Sequence, residues 1–447
     1  MSILKENIVV SNVNSLNGFF PVRQRSISDG SFDWDVAKGI VVRNLYKKTL
    51  VKGLVTKTDE IIYQKFKEIC RKDFGERLDE MALWEYLEDM YFSPATFFNI
   101  APECLLFKIA KLPSSSSKHL LGDLFSGLMQ DYFNDKPERM KRNFLEQQVV
   151  SSLRSPNVLV DFIGPRNSKK VDEKPFLPFL TRYFCKDIKL LSDHPGYLIQ
   201  NLEQFLRLYG YLYTAQLSLN INSLASEPIS RPLYFMMENE TASLERTDLV
   251  KNGHQRVSKN IELIYPYLTM AETLQEVSAG GIRIPLWEFA SQLVSSDVPS
   301  LKAYAKEFAL DRKLNISFEE MNETPHYWLG VLLKMSTMQF EKGQTRSTMQ
   351  NKYINATEDK LCSTFVRSRG RVGKILVMNQ DYLTLLTNLA IGENQRLRFS
   401  DLLTEFEARG VYFDKKTQQA LIKFYERVGN VERMSDSGDA VYVRTTI

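Results

Sequence analysis

The chain has 447 residues, 43 % of them hydrophobic and 25 % charged, an ordinary globular composition that excludes disorder over most of its length. Because single domains usually hold about 100–150 residues, this length predicts two to four modules. The formal net charge of +4, from 58 basic and 54 acidic residues, implies no nucleic-acid partner unless the basic residues are clustered.

Secretion and membrane insertion find no support in the sequence. The N-terminus lacks the basic start and apolar run of a signal peptide, and no stretch approaches the roughly 18 apolar residues of a membrane span. The four cysteines form no CxxC pair, which favours reduced thiols over a disulfide framework or a zinc site. We therefore expect a cytoplasmic protein that makes no membrane contact.

Apolar spacing divides the chain into successive regions. Residues 1–57 are mixed and basic, and they predict short extended pieces around an exposed loop. Residues 58–341 show helical spacing and predict a scaffold of packed helices, with a short strand, "LYFMM", inserted near 226–240. The polar stretch 342–360 predicts a linker to a C-terminal domain, 361–447.

The C-terminal domain predicts three helices followed by a hairpin. The helices are expected from about Gln380 to Gly392, from Ser400 to Gly410, and from Asp414 to about Val428. This order is typical of a helix-turn-helix closed by a β-wing. The predicted fold class is mainly α with a few short strands, a helical scaffold plus a C-terminal winged-helix domain.

The last helix predicts a polar outer face. Its apolar stripe leaves a set of polar residues pointing away from the core: Lys415, Lys416, Thr417, Gln419 and Lys423. Ammonium and amide groups on an exposed helix suit the major groove of double-stranded DNA. The same residues also fit an ordinary solvated face or a protein contact, and the sequence leaves these alternatives open.

The stretch "STFVRSRGRVGK" is the most concentrated basic segment of the domain, with Arg367, Arg369, Arg371 and Lys374. If its backbone is extended, two-residue alternation points the three arginines to one side, which suits phosphates along a DNA strand. An exposed loop without a partner is the alternative. Because its glycine spacing is too short, "GRVGK" does not predict a nucleotide-binding phosphate loop.

The hairpin tip "SDSGD" carries Asp436 and Asp439, which phosphate would repel. Three interpretations remain. The tip makes a simple turn, or its carboxylates meet a basic protein partner, or they bind a metal. We expect a turn or a partner contact rather than a metal site.

Catalytic motifs are weak throughout the sequence. The four histidines show no metal-ligand spacing, and no nucleophile elbow is present. Asp161, Asp172 and Lys174 form the best candidate for a magnesium-dependent nuclease centre, but Pro175 argues against the second strand that such a site requires. We therefore expect a protein that is not an enzyme and has no cofactor, with a divergent nuclease as the alternative.

The segments "RSRGRVGKILVMNQDYLTLLTNL", "RGVYFDKKTQQALIKFYERVGNVERMSDSGDAVYVR" and "RPLYFMMENETAS" resemble DptG, a component of the bacterial DNA phosphorothioation-dependent restriction system. The resemblance is firmest towards the C-terminus. It implies an antiviral defence protein that acts on unmodified DNA with two partners, DptF and DptH, which are expected to carry the ATPase and DNA-processing activities. It brings no established catalytic motif. The predicted role is a non-catalytic DNA-binding or scaffold subunit of that complex.

Overall fold

The protein is mainly α with a few short strands, which confirms this part of the predicted fold class. The computed structural model describes residues 3–10, 19, 21, 32–51, 59–75, 81–93, 96–111, 120–129, 142–154, 158–162, 172–222, 224, 226–277, 281–341, 343–344, 346–434 and 440–447.

The chain divides into two compact units. The minor unit comprises residues 25–166, 184–208 and 447, and the major unit comprises residues 1–24, 167–183 and 209–446. Helices α6 (Pro178–Asp193) and α7 (Pro195–Asn220) each contribute residues to both units. The predicted C-terminal domain, 361–447, lies almost wholly inside the major unit instead of forming a unit of its own.

The minor unit is a set of short helices with one strand pair. Its helices are α1 (Trp34–Tyr46), α2 (Asp59–Gly75), α3 (Met81–Tyr91), α4 (Leu120–Leu128) and α5 (Phe144–Arg154), with 3-10 helices at Phe97–Asn99 and Pro102–Lys111, and β1 (Lys48–Leu50) pairs antiparallel with β2 (Leu159–Asp161). The region 1–57 was expected to hold short extended pieces around an exposed loop, but the helix α1 lies within it. Asp33 caps α1 by accepting the N–H of Asp35, and most residues of the helix are buried.

The major unit holds the remaining α-helices, together with short 3-10 helices at Ser295–Asp297 and Gly370–Val372 and a π-helical turn at Glu358–Cys362. The α-helices are α8 (Thr247–Lys251), α9 (His254–Leu274), α10 (Leu286–Gln292), α11 (Val298–Asp311), α12 (Pro325–Met338), α13 (Ser347–Thr357), α14 (Gln380–Ile391), α15 (Phe399–Ala408) and α16 (Lys415–Arg427). Helix α13 lies in the segment 342–360, which was expected to be a linker. It packs there because Tyr353 is buried and Gln350 Nε2 donates to the carbonyl of Glu262 at 2.7 Å.

A four-stranded sheet joins the middle of the chain to its C-terminal part. The predicted insertion contains β4 (Tyr234–Met237), which pairs in parallel with both β7 (Lys374–Met378) and β9 (Tyr412–Phe413). At the edge, β6 (Val366–Ser368) is antiparallel to β7. Since β4 is an inner strand between elements of the C-terminal segment, that segment shares its core with the rest of the major unit.

The predicted C-terminal helices and hairpin are present as α14, α15, α16 and the strands β10 (Val431–Met434) and β11 (Ala440–Arg444). Strand β8 (Arg396–Arg398) pairs antiparallel with β11, giving a sheet of order β10–β11–β8. Elsewhere β3 (Asp172–Glu173) pairs in parallel with β5 (Ile282–Arg283). Gly392 ends α14 as predicted, whereas α15 begins at Phe399, before the predicted cap Ser400.

Candidate nucleic-acid interface

Helix α16 begins at a capped and anchored residue. Asp414 is its N-cap, as the sequence predicts, and its Oδ1 accepts the backbone N–H of Thr417 at 2.9 Å. The same carboxylate accepts two hydrogen bonds from Arg246, one from Nε and one from Nη2, each at 2.7 Å. This fork-like pairing fixes the direction in which the helix leaves β9.

Arg246 is the centre of a buried polar network that ties α16 to the loop after β4. Its side chain is 6 % exposed, and it also reaches Glu240 at 3.2 Å and the hydroxyl of Thr417 at 2.5 Å. Thr417 in turn donates to Glu240 at 2.8 Å. Thr417 was expected to face outward, but it is buried because its hydroxyl completes this network.

The network shifts the pKa values of its charged groups. Burial alone would raise the pKa of Asp414, but the hydrogen bonds and charge of Arg246, together with the N–H of Thr417, hold that pKa below its ordinary value. Burial alone would lower the pKa of Arg246, but Asp414 and Glu240 raise it. Both groups are therefore charged at neutral pH.

The outer face of α16 is polar and basic. Lys415, Lys416, Gln419 and Lys423 are all exposed, as the sequence predicts. Leu421, Phe424 and Tyr425 are buried in the expected stripe. The stripe ends earlier than expected, since Val428 is 45 % exposed.

The basic segment before α14 is a hairpin and does not continue as an extended strand. Arg367 lies on β6, and the backbone then turns through a 3-10 helix, Gly370–Val372, before β7 begins at Lys374. The N–H of Arg369 donates to the carbonyl of Gly373 at 2.9 Å and closes the turn. The prediction that the three arginines point to one side required an extended backbone through all of them. Because the backbone turns, strand alternation does not align them.

The four basic residues of this hairpin have different surroundings. Arg367 and Arg371 are exposed. Arg369 is half-buried and donates from Nη2 to the carbonyl of Glu238 at 2.8 Å, while Lys374 lies 3.5 Å from the carboxylate of Glu358. Arg367 and Arg371 are therefore the residues of this hairpin that are best placed to contact phosphate.

A cavity of about 220 Å³ opens beside this hairpin, at the carboxyl ends of the parallel strands β4 and β7. Its lining is mostly polar and comprises Met237, Glu238, Asn239, Met378, Asn379, Gln380 and Asp381. The lining has only two carboxylates, those of Glu238 and Asp381. Neither here nor elsewhere among the described residues do three histidine, cysteine, aspartate or glutamate side chains lie close enough to bind a metal ion.

Two of the three nuclease candidate residues, Asp161 and Lys174, already form ion pairs with other residues. Asp161 ends β2 and pairs with Lys48, which holds its pKa below the ordinary value. Lys174 Nζ lies 2.6 Å from a carboxylate oxygen of Glu288. Asp172 belongs to β3, which pairs with β5 and not with β2. These strand pairings place the acidic candidates in two separate sheets.

Asp436 and Asp439, at the hairpin tip, lie outside the described residues. The three interpretations of the tip therefore stay open. Across the ranges given above, the helices include none with the length and apolar content needed to cross a lipid bilayer.

The sequence did not predict the role of Arg246, nor the grouping of arginines on the three-stranded sheet β10–β11–β8. Arg246 and Asp414 are 168 positions apart in the sequence, so no local pattern predicts that they form a pair. Arg396 and Arg398 flank a single apolar residue in "RLR", a weak strand signal, and only the pairing of β8 with β11 brings them beside Arg444. The charge of "RLR" is visible in the sequence, but its partner strand is not.

Comparison with known proteins identifies no family. No protein-family model matches the chain, and no curated protein matches it in sequence.

Proposed function

We propose that the protein is a non-catalytic subunit of a phosphorothioation-dependent restriction complex and that it binds double-stranded DNA lacking the sulfur modification. Its C-terminal elements act as a winged helix, with α16 as the helix that meets DNA. DptF and DptH are the proposed partners, and they supply ATP hydrolysis and DNA processing. The resemblance of the sequence to DptG supports the identity of the complex.

The observation that carries the DNA proposal is the exposed basic start of α16 on its buried anchor. Lys415 and Lys416 occupy the first turn, where positive charge is unfavourable for an isolated helix because the helix dipole is positive there. The carboxylate of Asp414 does little to offset the positive charge of Lys415 and Lys416, because it is already paired with Arg246. A helix end with surplus positive charge is suited to an anion such as DNA phosphate.

The order of the surrounding elements supports the winged-helix assignment. Helix α14, strand β8, helix α15, strand β9, helix α16 and the hairpin β10–β11 follow one another, and β8 closes the hairpin sheet while β9 pairs with β4. In that arrangement the last helix enters the major groove. Gln419, one turn beyond Lys415 and Lys416, is exposed on α16, and its amide can pair with a base edge.

A salt titration tests the proposal. The variant Lys415→Gln/Lys416→Gln/Lys423→Gln should bind a short unmodified duplex roughly tenfold or more weakly in fluorescence anisotropy. Its plot of log affinity against log salt should flatten by about 0.9 for each phosphate that the variant no longer neutralises. The variant Arg367→Gln/Arg371→Gln should show a smaller change in the same direction.

The matched control is Lys259→Gln/Lys306→Gln/Lys334→Gln, which removes equal charge from helices α9, α11 and α12. It should leave the salt slope unchanged. Equal slopes for the α16 variant and the parent would contradict DNA binding by α16.

ATP hydrolysis or Mg²⁺-dependent DNA cleavage by the pure protein would contradict the non-catalytic role. Failure to co-purify with DptF or DptH, at two salt concentrations, with and without DNA, would contradict the proposed complex.

A further inference from the structure

One face of the three-stranded sheet gathers arginines from distant parts of the chain. Because β8 is antiparallel to β11, Arg396 lies opposite Arg444, and Arg398 lies opposite Tyr442. Glu432 on β10 lies on the other side of Tyr442. Directly opposed residues share a face of a sheet, and so do residues two apart on one strand. We call these five residues the arginine face.

The arginine face is positively charged and holds one carboxylate. Arg396 and Arg444 both form ion pairs with Glu432. The guanidinium of Arg396 also lies 5.3 Å from the ring centre of Tyr442. The side chain of Arg398 is exposed and forms no hydrogen bond or ion pair with any residue in the described ranges. Among the residues that the structure describes, three arginines face one glutamate, which leaves this face with a surplus of positive charge.

We propose that the arginine face binds an extended acidic segment of a partner protein, in which carboxylates occupy alternate positions. Arg396 and Arg398 stand about 6.6 Å apart along β8, the distance between residues two apart in any extended peptide. Guanidinium groups pair with carboxylates through two parallel hydrogen bonds. Glu432 shows within the chain that a carboxylate is accommodated between Arg396 and Arg444.

Glu432 also distinguishes an acidic peptide from DNA as the occupant. A DNA strand carries a phosphate at every nucleotide, and a phosphate near Arg396 and Arg444 would be repelled by the carboxylate of Glu432 that already lies between them. A peptide can place a neutral residue at that point. The proposal is independent of DNA binding by α16, whose basic residues lie on a different element.

The test uses the full-length protein and a synthetic peptide in which glutamate alternates with threonine. A peptide with glutamine in place of glutamate is the control ligand. In fluorescence anisotropy, Arg396→Gln/Arg398→Gln should weaken binding of the glutamate peptide roughly tenfold or more, because it removes two charge-assisted pairs. Glu432→Gln should strengthen binding severalfold, because it releases Arg396 and Arg444.

Each variant is also titrated with duplex DNA, and Lys415→Gln/Lys416→Gln is the matched control for charge. Support consists of lost peptide binding in the arginine variant, gained binding in Glu432→Gln, and parent-like DNA binding in both. Equal peptide binding by the parent and the arginine variant would overturn the proposal. So would the opposite pattern, in which the peptide does not bind and the arginine variant loses DNA, since the face would then be a phosphate site.

Discussion

Gly410 sets the geometry of the connection between α15 and α16. Its φ is +89°, a value that L-residues with a Cβ rarely adopt, and its N–H donates to the carbonyl of Glu407 at 2.9 Å. A Cβ at this position would lie 2.3 Å from Nε2 of Gln216. That amide is already engaged, because it donates to the carbonyl of Arg231 at 2.8 Å. The side chain that would have to move therefore holds the segment leading into β4.

Replacing this glycine should be destabilising for both reasons. We expect Gly410→Ala to lower the free energy of unfolding by roughly 1–3 kcal/mol, measured as a lower thermal transition temperature. Gly330→Ala is the matched control, since Gly330 lies inside α12, a Cβ there would meet no atom within 4 Å, and alanine favours a helix. A loss of stability no larger than that of the control would contradict the strained connection.

At the scale of the element, α16 depends on Arg246, since no other cation reaches its capping carboxylate among the described residues. Arg246→Gln leaves the partly buried carboxylates of Asp414 and Glu240 without their cation, and this should cost roughly 2–3 kcal/mol of stability. Lys306→Gln is the control, because the ion pair of Lys306 with Glu320 is exposed and should contribute little to stability. Chemical denaturation followed by circular dichroism would measure both changes.

The ion pair between Arg246 and Asp414 should also make the stability lost in Arg246→Gln depend on pH. The pKa of Asp414 is lower in the folded chain than its ordinary value, so the folded state binds that proton more weakly than the unfolded state does. The stabilisation is complete above the ordinary value and disappears as pH falls through the folded pKa. The difference between Arg246→Gln and the parent should therefore be largest near neutral pH and shrink in acid. A difference that stays constant with pH would contradict the pairing.

Local signals predict the elements better than they predict their assembly. The cap at Asp414, the end of α14 at Gly392 and the exposed lysines of α16 follow from helical spacing and capping preferences, and the structure confirms them. Thr417 contradicts its prediction because its burial depends on Arg246, which is remote in sequence. Hairpin geometry likewise removes the alignment expected for Arg367, Arg369 and Arg371.

At the scale of the whole molecule, the parallel pairing of β4 changes what the C-terminal segment is. Short strands of two to five residues carry little signal, and the parallel partners of β4 are separated from it by more than 130 positions. The sequence therefore suggests a detachable domain after a linker. The sheet makes that segment and the middle of the chain parts of one core.

This shared core predicts how the chain behaves when it is divided. A fragment comprising residues 361–447 lacks β4, so the buried residues of β7, among them Ile375 and Leu376, lose their neighbouring strand, and Asp414 loses Arg246. We expect the isolated fragment to show no cooperative unfolding transition, and we expect it to co-purify with residues 1–360 when the two pieces are expressed together. The pairing of β4 with β7 and β9 would be the physical cause, because only the combined pieces restore it. A fragment that unfolds cooperatively by itself, with dispersed amide resonances, would show that α14, α15, α16 and the hairpin sheet are sufficient without β4.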